Sequence, residues 1–308
     1  MRKNTNKETI IGRVFSHSLE QKVTGEGSKA PGTSYIAGTV DVAVDEEGLN
    51  VVSIHYTYVT AMTKAGKANN TYTALTKIMN GKTWQTDGKA EAICAKFEPS
   101  IALNDFWSTR DEVFVAAPRN EGGFVTILSA GQMTPKATFE VDGVITKITL
   151  VEADPEKNIA EPFVRVHAAV FDFRNALLPF DFVVKGEKGI EYFTSLEVTP
   201  TEPIYTNFWG NIVATTVKET RTTESAFGEA KVDEVTRTTR EWQITGMKTE
   251  AFEFGEPEVM TAEDLKKAIA DREVYLAEQK KNAEEWAAKK DGDSAPAAAN
   301  VASGGFSF

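Results

Sequence analysis

A two-residue periodicity dominates this sequence as far as about residue 255 and then gives way to a helical one. Between positions 36 and 44 the even positions are Ile36, Gly38, Val40, Val42 and Val44, while Thr39 and Asp41 point the other way. Side chains alternate across a strand, so such a run has one buried face and one solvated face. Asp45, Glu46, Glu47 and Gly48 interrupt the pattern and residues 50–60 resume it, a hairpin signature. In that second run Ser53, His55 and Thr57 form the polar face, opposite Val52, Ile54, Tyr56 and Tyr58. Comparable runs cover 10–23, 112–117, 123–128, 138–152, 163–173, 180–185, 211–222 and 234–246. The body is expected to be all-β.

It also reads as a duplication. I-I-G-R-V at 10–14 and V-D-G-V-I at 141–145 each open a long strand, and N-D-F-W at 104–107 and N-F-W-G at 207–210 each precede two more. The interval from Gly12 to Trp107 is 95 residues and that from Gly143 to Trp209 is 66, a difference of 29. A lysine-rich segment at 60–90 has close to that length and reads as an insertion in the first copy. S-A-G-Q-M-T-P-K at 129–136 has the Gly and Pro of a linker. The expected plan is a disordered N-terminus over 1–9, a first β-domain over 10–132 and a second over 137–255. Because the strand pattern is complete by 255, both domains are expected to fold without the C-terminal 53 residues.

Beyond Pro257 the character changes. Thr261 followed by Glu263 and Asp264 marks a helix start, with acids at the positive end of the dipole. Leu265, Ala268, Ile269, Tyr275, Leu276, Ala283 and Trp286 recur at helical spacing, and Lys289 and Lys290 suit the other end. One amphipathic helix is expected over 261–290, about 45 Å long. Its apolar stripe needs a partner, either the β-body or a second copy in a homo-oligomer. Residues 291–308 are low-complexity and expected to form a disordered tail carrying Phe306 and Phe308.

With 41% hydrophobic residues the chain has enough apolar material for a core, which excludes wholesale disorder. A single cysteine, Cys94, excludes an intramolecular disulfide and a cysteine-based zinc site. His17, His55 and His167 lie far apart, so neither metal nor cofactor is expected. No apolar run approaches the roughly 18 residues of a membrane span, and the polar start leads to no signal-like segment. The expected location is cytoplasmic. There is no phosphate-cradling, dinucleotide-binding, nucleophile-elbow or H-E-x-x-H motif, and no enzyme is expected.

The net charge of −11 argues against nucleic acid until its distribution is read. Residues 1–136 carry 15 Lys and Arg against 14 Asp and Glu, residues 137–255 carry 12 against 20, and residues 256–308 carry 7 against 11. Within 60–90, Lys64, Lys67, Lys77, Lys82 and Lys89 face only Asp87. That segment also holds Tyr72 and Trp84. Lysines neutralise phosphates and aromatic rings stack on bases of any identity, the physical recipe for holding a single strand. The plainer alternative is a solvated loop with both rings packed beneath it. A second candidate face, on 163–173, carries Arg165, His167, Phe171 and Phe173; the alternative is that this strand is buried on both sides. In the pairs Phe106–Trp107 and Phe208–Trp209, either one ring anchors a core or Trp107 and Trp209 offer stacking platforms.

Small strand-rich units with a long basic insertion, no catalytic motif, a helix and a tail ending in aromatics resemble single-stranded-DNA-binding proteins of the OB-fold type. The tandem arrangement resembles bacteriophage replication proteins. The resemblance implies two OB-like barrels binding single-stranded DNA in replication, recombination or repair, with the insertion as a mobile loop that wraps the strand. RNA shares the same stacking chemistry. It also implies a tail that recruits replication or recombination proteins through Phe306 and Phe308, although only Asp291 and Asp293 stand where family tails carry a dense acidic block. A virion or assembly protein built of two β-domains and a helical arm is the alternative.

Overall fold

The computed structural model describes residues 4–154, 159–199, 201–223, 227, 231–254 and 260–293. In chain order the first half forms β1 (Asn6–His17), β2 (Glu20–Val23), β3 (Ser34–Ala43), β4 (Val51–Thr60), α1 (Asn70–Met79), α2 (Trp84–Asp87), β5 (Cys94–Ser108) and β6 (Val113–Leu128). The second half forms β7 (Lys136–Val151), β8 (Phe163–Phe171), β9 (Leu177–Val184), α3 (Glu187–Ser195), β10 (Ile204–Thr223), β11 (Lys231–Met247) and α4 (Ala262–Asp293).

Strand pairing closes two barrels of the same order. In the first, β1 pairs with β3 and β5, β3 with β4, β5 with β6, and β4 runs parallel to β6 at Ile54 and Asn120. In the second, β7 pairs with β8 and β10, β8 with β9, β10 with β11, and β9 runs parallel to β11 at Val183 and Gln243. Each is a closed ring of five strands with a helix between the third and the fourth, the Greek-key arrangement of an OB-fold. The N-terminal half of β1 also pairs with β7, from Asn6 with Val141 to Ile11 with Lys136, and welds the barrels into one sheet.

The first strand of each barrel must pass between two sheets, and a glycine sits at that point in both. A Cβ on Gly12 would lie 2.1 Å from the Ala43 carbonyl oxygen, and one on Gly143 would lie 2.8 Å from the Phe208 ring. Gly12 stands opposite Ala95 and Gly143 opposite Thr206. Phe97 and Phe208 follow two residues later, both fully buried. Those are the equivalent positions of the repeat, 85 and 65 residues after their glycines. N-D-F-W and N-F-W-G are therefore not equivalent. Phe106 lies far out on the β5–β6 ribbon, opposite Val115, and Phe208 lies in a barrel core among Phe182 and Val141.

Three expectations need correction. Residues 4–9 are not disordered, because β1 begins at Asn6, Asn4 is buried and Glu8 is fully buried, and residues 1–3 lie outside the described residues. The 60–90 segment is not a loop around a strand. It holds α1, started by the Asn69 side chain accepting from the Thr71 N–H, and its Thr71, Ala74, Leu75 and Ile78 face the first core. That i, i+3, i+4, i+7 spacing is short and starts on a threonine, between flanking lysines at 64, 67, 82 and 89 that give the segment its polar character. The third correction concerns α4. Thr261 and Asp264 bond each other's backbone N–H across its first turn. Ala268 and Leu265 then cover a small core of Val144, Ala169, Phe171, Leu177, Tyr205 and Met260 on the outside of the second barrel. The helix is part of the packed body, while Ile269, Tyr275 and Trp286 of the expected stripe stay largely exposed. The tail residues Phe306 and Phe308 lie outside the described residues.

Candidate nucleic-acid interface

In an OB-fold the outer face of the second and third strands, with the adjoining loops, is the surface that takes oligonucleotides. Here that face on the first barrel belongs to β3 and β4. Along β4 it presents Ser53, His55 and Thr57, with Thr39 Oγ1 3.1 Å from His55 Nδ1 and Ser53 Oγ 2.7 Å from Asp41. Burial, joined by the nearby Arg119 and Arg240, holds the His55 imidazole below its ordinary pKa. A register shift between Ile36 and Gly38 against β4 lets Thr57 and Tyr58 both stand outward. Tyr58, expected on the apolar face, is 50% exposed, its ring 4.6 Å from that of Tyr35.

Beyond Tyr58 the face opens into a groove of about 790 Å³ where the two barrels meet, lined among others by Thr63, Asn69, Phe124, Phe173 and Arg174. Phe124 follows Gly122 and Gly123, which have positive φ where β6 bends past Glu98. Phe173 comes from the β8–β9 turn, held by the Asp172 carboxylate accepting from the Arg174 and Ala176 N–H groups. Phe124 is 72% and Phe173 77% exposed, and the Arg174 guanidinium lies 4.9 Å from the Phe173 ring centre.

The basic segment is divided by the fold. Lys64 and Lys67 are exposed in a tight turn closed by the Met62–Ala68 bridge, whose Thr63 and Asn69 line the groove. Lys77 is exposed at the end of α1 and Tyr72 is half-buried against the core. The rest of the segment packs elsewhere, against β1. Trp84 lies 6.0 Å from Phe15, Lys89 pairs with Glu46 at 2.5 Å and sits over the Trp84 ring, and Lys82 pairs with Glu91 at 2.8 Å. Each of these two ion pairs pulls its carboxyl below the ordinary range.

The other sequence candidates scatter. Phe171 is fully buried beneath α4, which corrects its assignment to an open strand face: the outer side of β8 is covered at that end. Arg165 is exposed on the same strand, and His167 is held between Asp181 at 2.7 Å and Thr149 at 3.3 Å. Trp107 packs edge-on against Phe114 with Lys280 of α4 4.3 Å over its ring. Trp209 is 42% exposed, and a Cβ on Gly246 would strike its indole at 2.7 Å. Among the described residues no cluster of His, Cys, Asp and Glu fits a metal ion, and no helix is long and apolar enough to cross a membrane.

The YorF family model matches residues 4–282, which spans both barrels and most of α4. The chain belongs to the YorF family. No curated protein matches the sequence of this YorF-family chain. Among solved structures it is similar to the single-stranded DNA binding protein from Thermus aquaticus. A deletion mutant of that protein is 12% identical with a TM-score of 0.46, covering 84% of this chain and 100% of that one. The wild-type protein is 11% identical with a TM-score of 0.46, covering 84% and 98%. A replication protein A heterotrimer bound to ssDNA is 10% identical with a TM-score of 0.21, covering 77% and 49%. The barrel assignment of this YorF-family member stands on its own strand pairings.

Sequence reasoning named Phe173 on its strand face but passed over Phe124, Arg174 and the outward position of Tyr58. A double glycine before a phenylalanine at 122–124 and an Asp-Phe-Arg-Asn turn at 172–175 were the available signals. The bulge that turns Tyr58 outward depends on pairing with β3 and has no local signature.

Proposed function

We propose that this protein binds single-stranded DNA without sequence preference, in DNA replication, recombination or repair. Bases stack on the rings around the β4–β6 groove, and neighbouring cations meet the phosphates. The observation that carries the reading is the pair of phenylalanines, Phe124 and Phe173, standing mostly in water beside Arg174 on one groove. Leaving such a ring exposed forgoes about 1.5–3 kcal/mol of burial. A ligand made of flat π-faces and phosphates recovers it, each stacked base contributing about 1–3 kcal/mol.

The overall charge of −11 does not oppose this reading. Screening confines surface fields to about 10 Å, so what counts is the local balance: Arg174 lines the groove, Lys64 and Lys67 lie in the turn beside its Thr63, and the two acids of the lining, Glu121 and Asp172, already accept from Arg119 and from the Arg174 N–H. A mobility-shift titration with a labelled oligodeoxythymidine, its duplex form and the matching RNA tests the proposal. Binding to the single strand with much weaker binding to duplex supports it. Equal affinity for duplex and single strand, or no binding to any of the three, overturns it.

A further inference from the structure

The strands β10 and β11 are far longer than the barrel they close, at 20 and 17 residues. They continue as a two-stranded ribbon in unbroken antiparallel register from Gly210 with Ile244 to Thr223 with Lys231. This ribbon belongs to the second barrel but is fastened to the first. The Ala214 N–H donates to Asn50 Oδ1 at 2.9 Å, at the turn that leads into β4. Directly across the ribbon from Ala214 stands Arg240. Its guanidinium reaches the outer face of β4 and donates to Ser53 Oγ at 3.2 Å.

The acids on that face are already engaged. Asp41 accepts from Ser16 and Ser53, both at 2.7 Å, and Glu121 accepts from Arg119 at 2.7 Å and from Thr57 at 3.3 Å. Arg240 is exposed and, among the described residues, has no carboxylate partner. An arginine fixed by a neutral hydroxyl, with further donors turned to solvent, matches a phosphate, because its fork of N–H groups fits two oxygens at once.

Ser53, His55 and Thr57 follow one another along β4 from Arg240 to the near end of the aromatic groove, which Thr57 lines, a distance of about 13 Å at about 3.3 Å per residue. We propose that Arg240, supplied by the second barrel, is a phosphate clamp at the far end of the first barrel's single-strand path, so that the two barrels build one composite site. This rests on the single-stranded-DNA reading above and gives that site a second end, fixed by the ribbon.

The test compares two variants of the full chain with the parent, titrating labelled oligodeoxythymidine over a range of salt concentrations. Removing one phosphate contact lowers the slope of log affinity against log salt by about 0.7, whereas removing a stacking ring leaves the slope alone. Arg240→Ala is expected to weaken binding three- to tenfold with a shallower slope and an unchanged melting temperature. Arg240→Lys is expected to restore the slope. Phe173→Ala is expected to weaken binding with the slope intact. If Phe173→Ala weakens binding while Arg240→Ala leaves affinity and slope as in the parent, the clamp is overturned and the aromatic site stands. If the parent itself shows no binding, the functional reading falls, and the clamp with it.

Discussion

Arg272 of α4 grips Asp105 of β5 with both terminal nitrogens, at 2.9 and 3.2 Å, and also donates to the Leu177 carbonyl at 3.2 Å. One guanidinium thus ties the helix to both barrels, since β5 belongs to the first and Leu177 to the second. The two charged side chains are nearly withdrawn from water, 12% and 5% exposed. An exposed ion pair contributes little, but removing one member of a buried pair strands the other charge.

Arg272→Ala is therefore expected to destabilise the protein by about 3 kcal/mol. In a urea titration followed by circular dichroism its midpoint falls clearly below that of the parent. A midpoint equal to the parent's would show that the pair is not part of the stabilising frame. Truncation after residue 260 is expected to be more damaging still, because it uncovers Phe171, Leu177 and Tyr205 as well.

Glu8 supplies a pH signature. It is fully buried, and the Trp242 indole donates to its Oε1 at 2.8 Å, joining β1 to β11. Burial dominates over that hydrogen bond and pushes the carboxyl from an ordinary 4.5 up to about 8. Below pH 4.5 the group is protonated folded and unfolded alike. Between that point and about 8 the unfolded chain releases a proton that the folded chain keeps, so the stabilisation is lost as pH rises through the window. Glu8→Gln keeps an acceptor oxygen for Trp242 and removes the titration. Its melting temperature is expected to vary less with pH than the parent's and to exceed it at the alkaline end. Parallel profiles for the two proteins would contradict this assignment.

Leu75→Ala separates the two halves of the basic segment's chemistry. Leu75 lies on the core-facing side of α1 and is fully buried, so the change should cost about 2–5 kcal/mol. Lys64 and Lys67 are exposed in the neighbouring turn, and replacing both with alanine should leave the melting temperature within experimental scatter while weakening single-strand binding. Thermal melts of the three proteins check this. A large loss of stability in the lysine variant would mean the turn is structural.

The all-β body was legible because alternation survives in strands with one wet face: Ile36, Val40 and Val42 are all fully buried, as their spacing implied. The site was less legible, for physical reasons that differ from residue to residue. Phe171 shares its strand face with Arg165, yet α4 covers one and not the other, and only the tertiary fold decides that. Tyr58 obeys strict alternation until a bulge opposite β3 shifts it by one, which turns a core position into a surface one. Phe124 and Phe173 lie on different barrels, 49 residues apart in sequence, and become neighbours on one groove only once the barrels are joined, by the weld between β1 and β7 and by the Arg272 contacts. Trp84 sits in a run of lysines but packs against Phe15 because α2 folds back on β1.

The most direct measurement of the central claim is the affinity of a fluorescently labelled single strand for the parent and for the double variant Phe124→Ala with Phe173→Ala, followed by anisotropy at low salt. Two stacked rings at about 1–3 kcal/mol each predict a loss of about thirtyfold or more, with the variant's melting temperature at or above the parent's because two exposed apolar rings are gone. A variant that binds as tightly as the parent would contradict the account and move the interface away from the groove between the barrels.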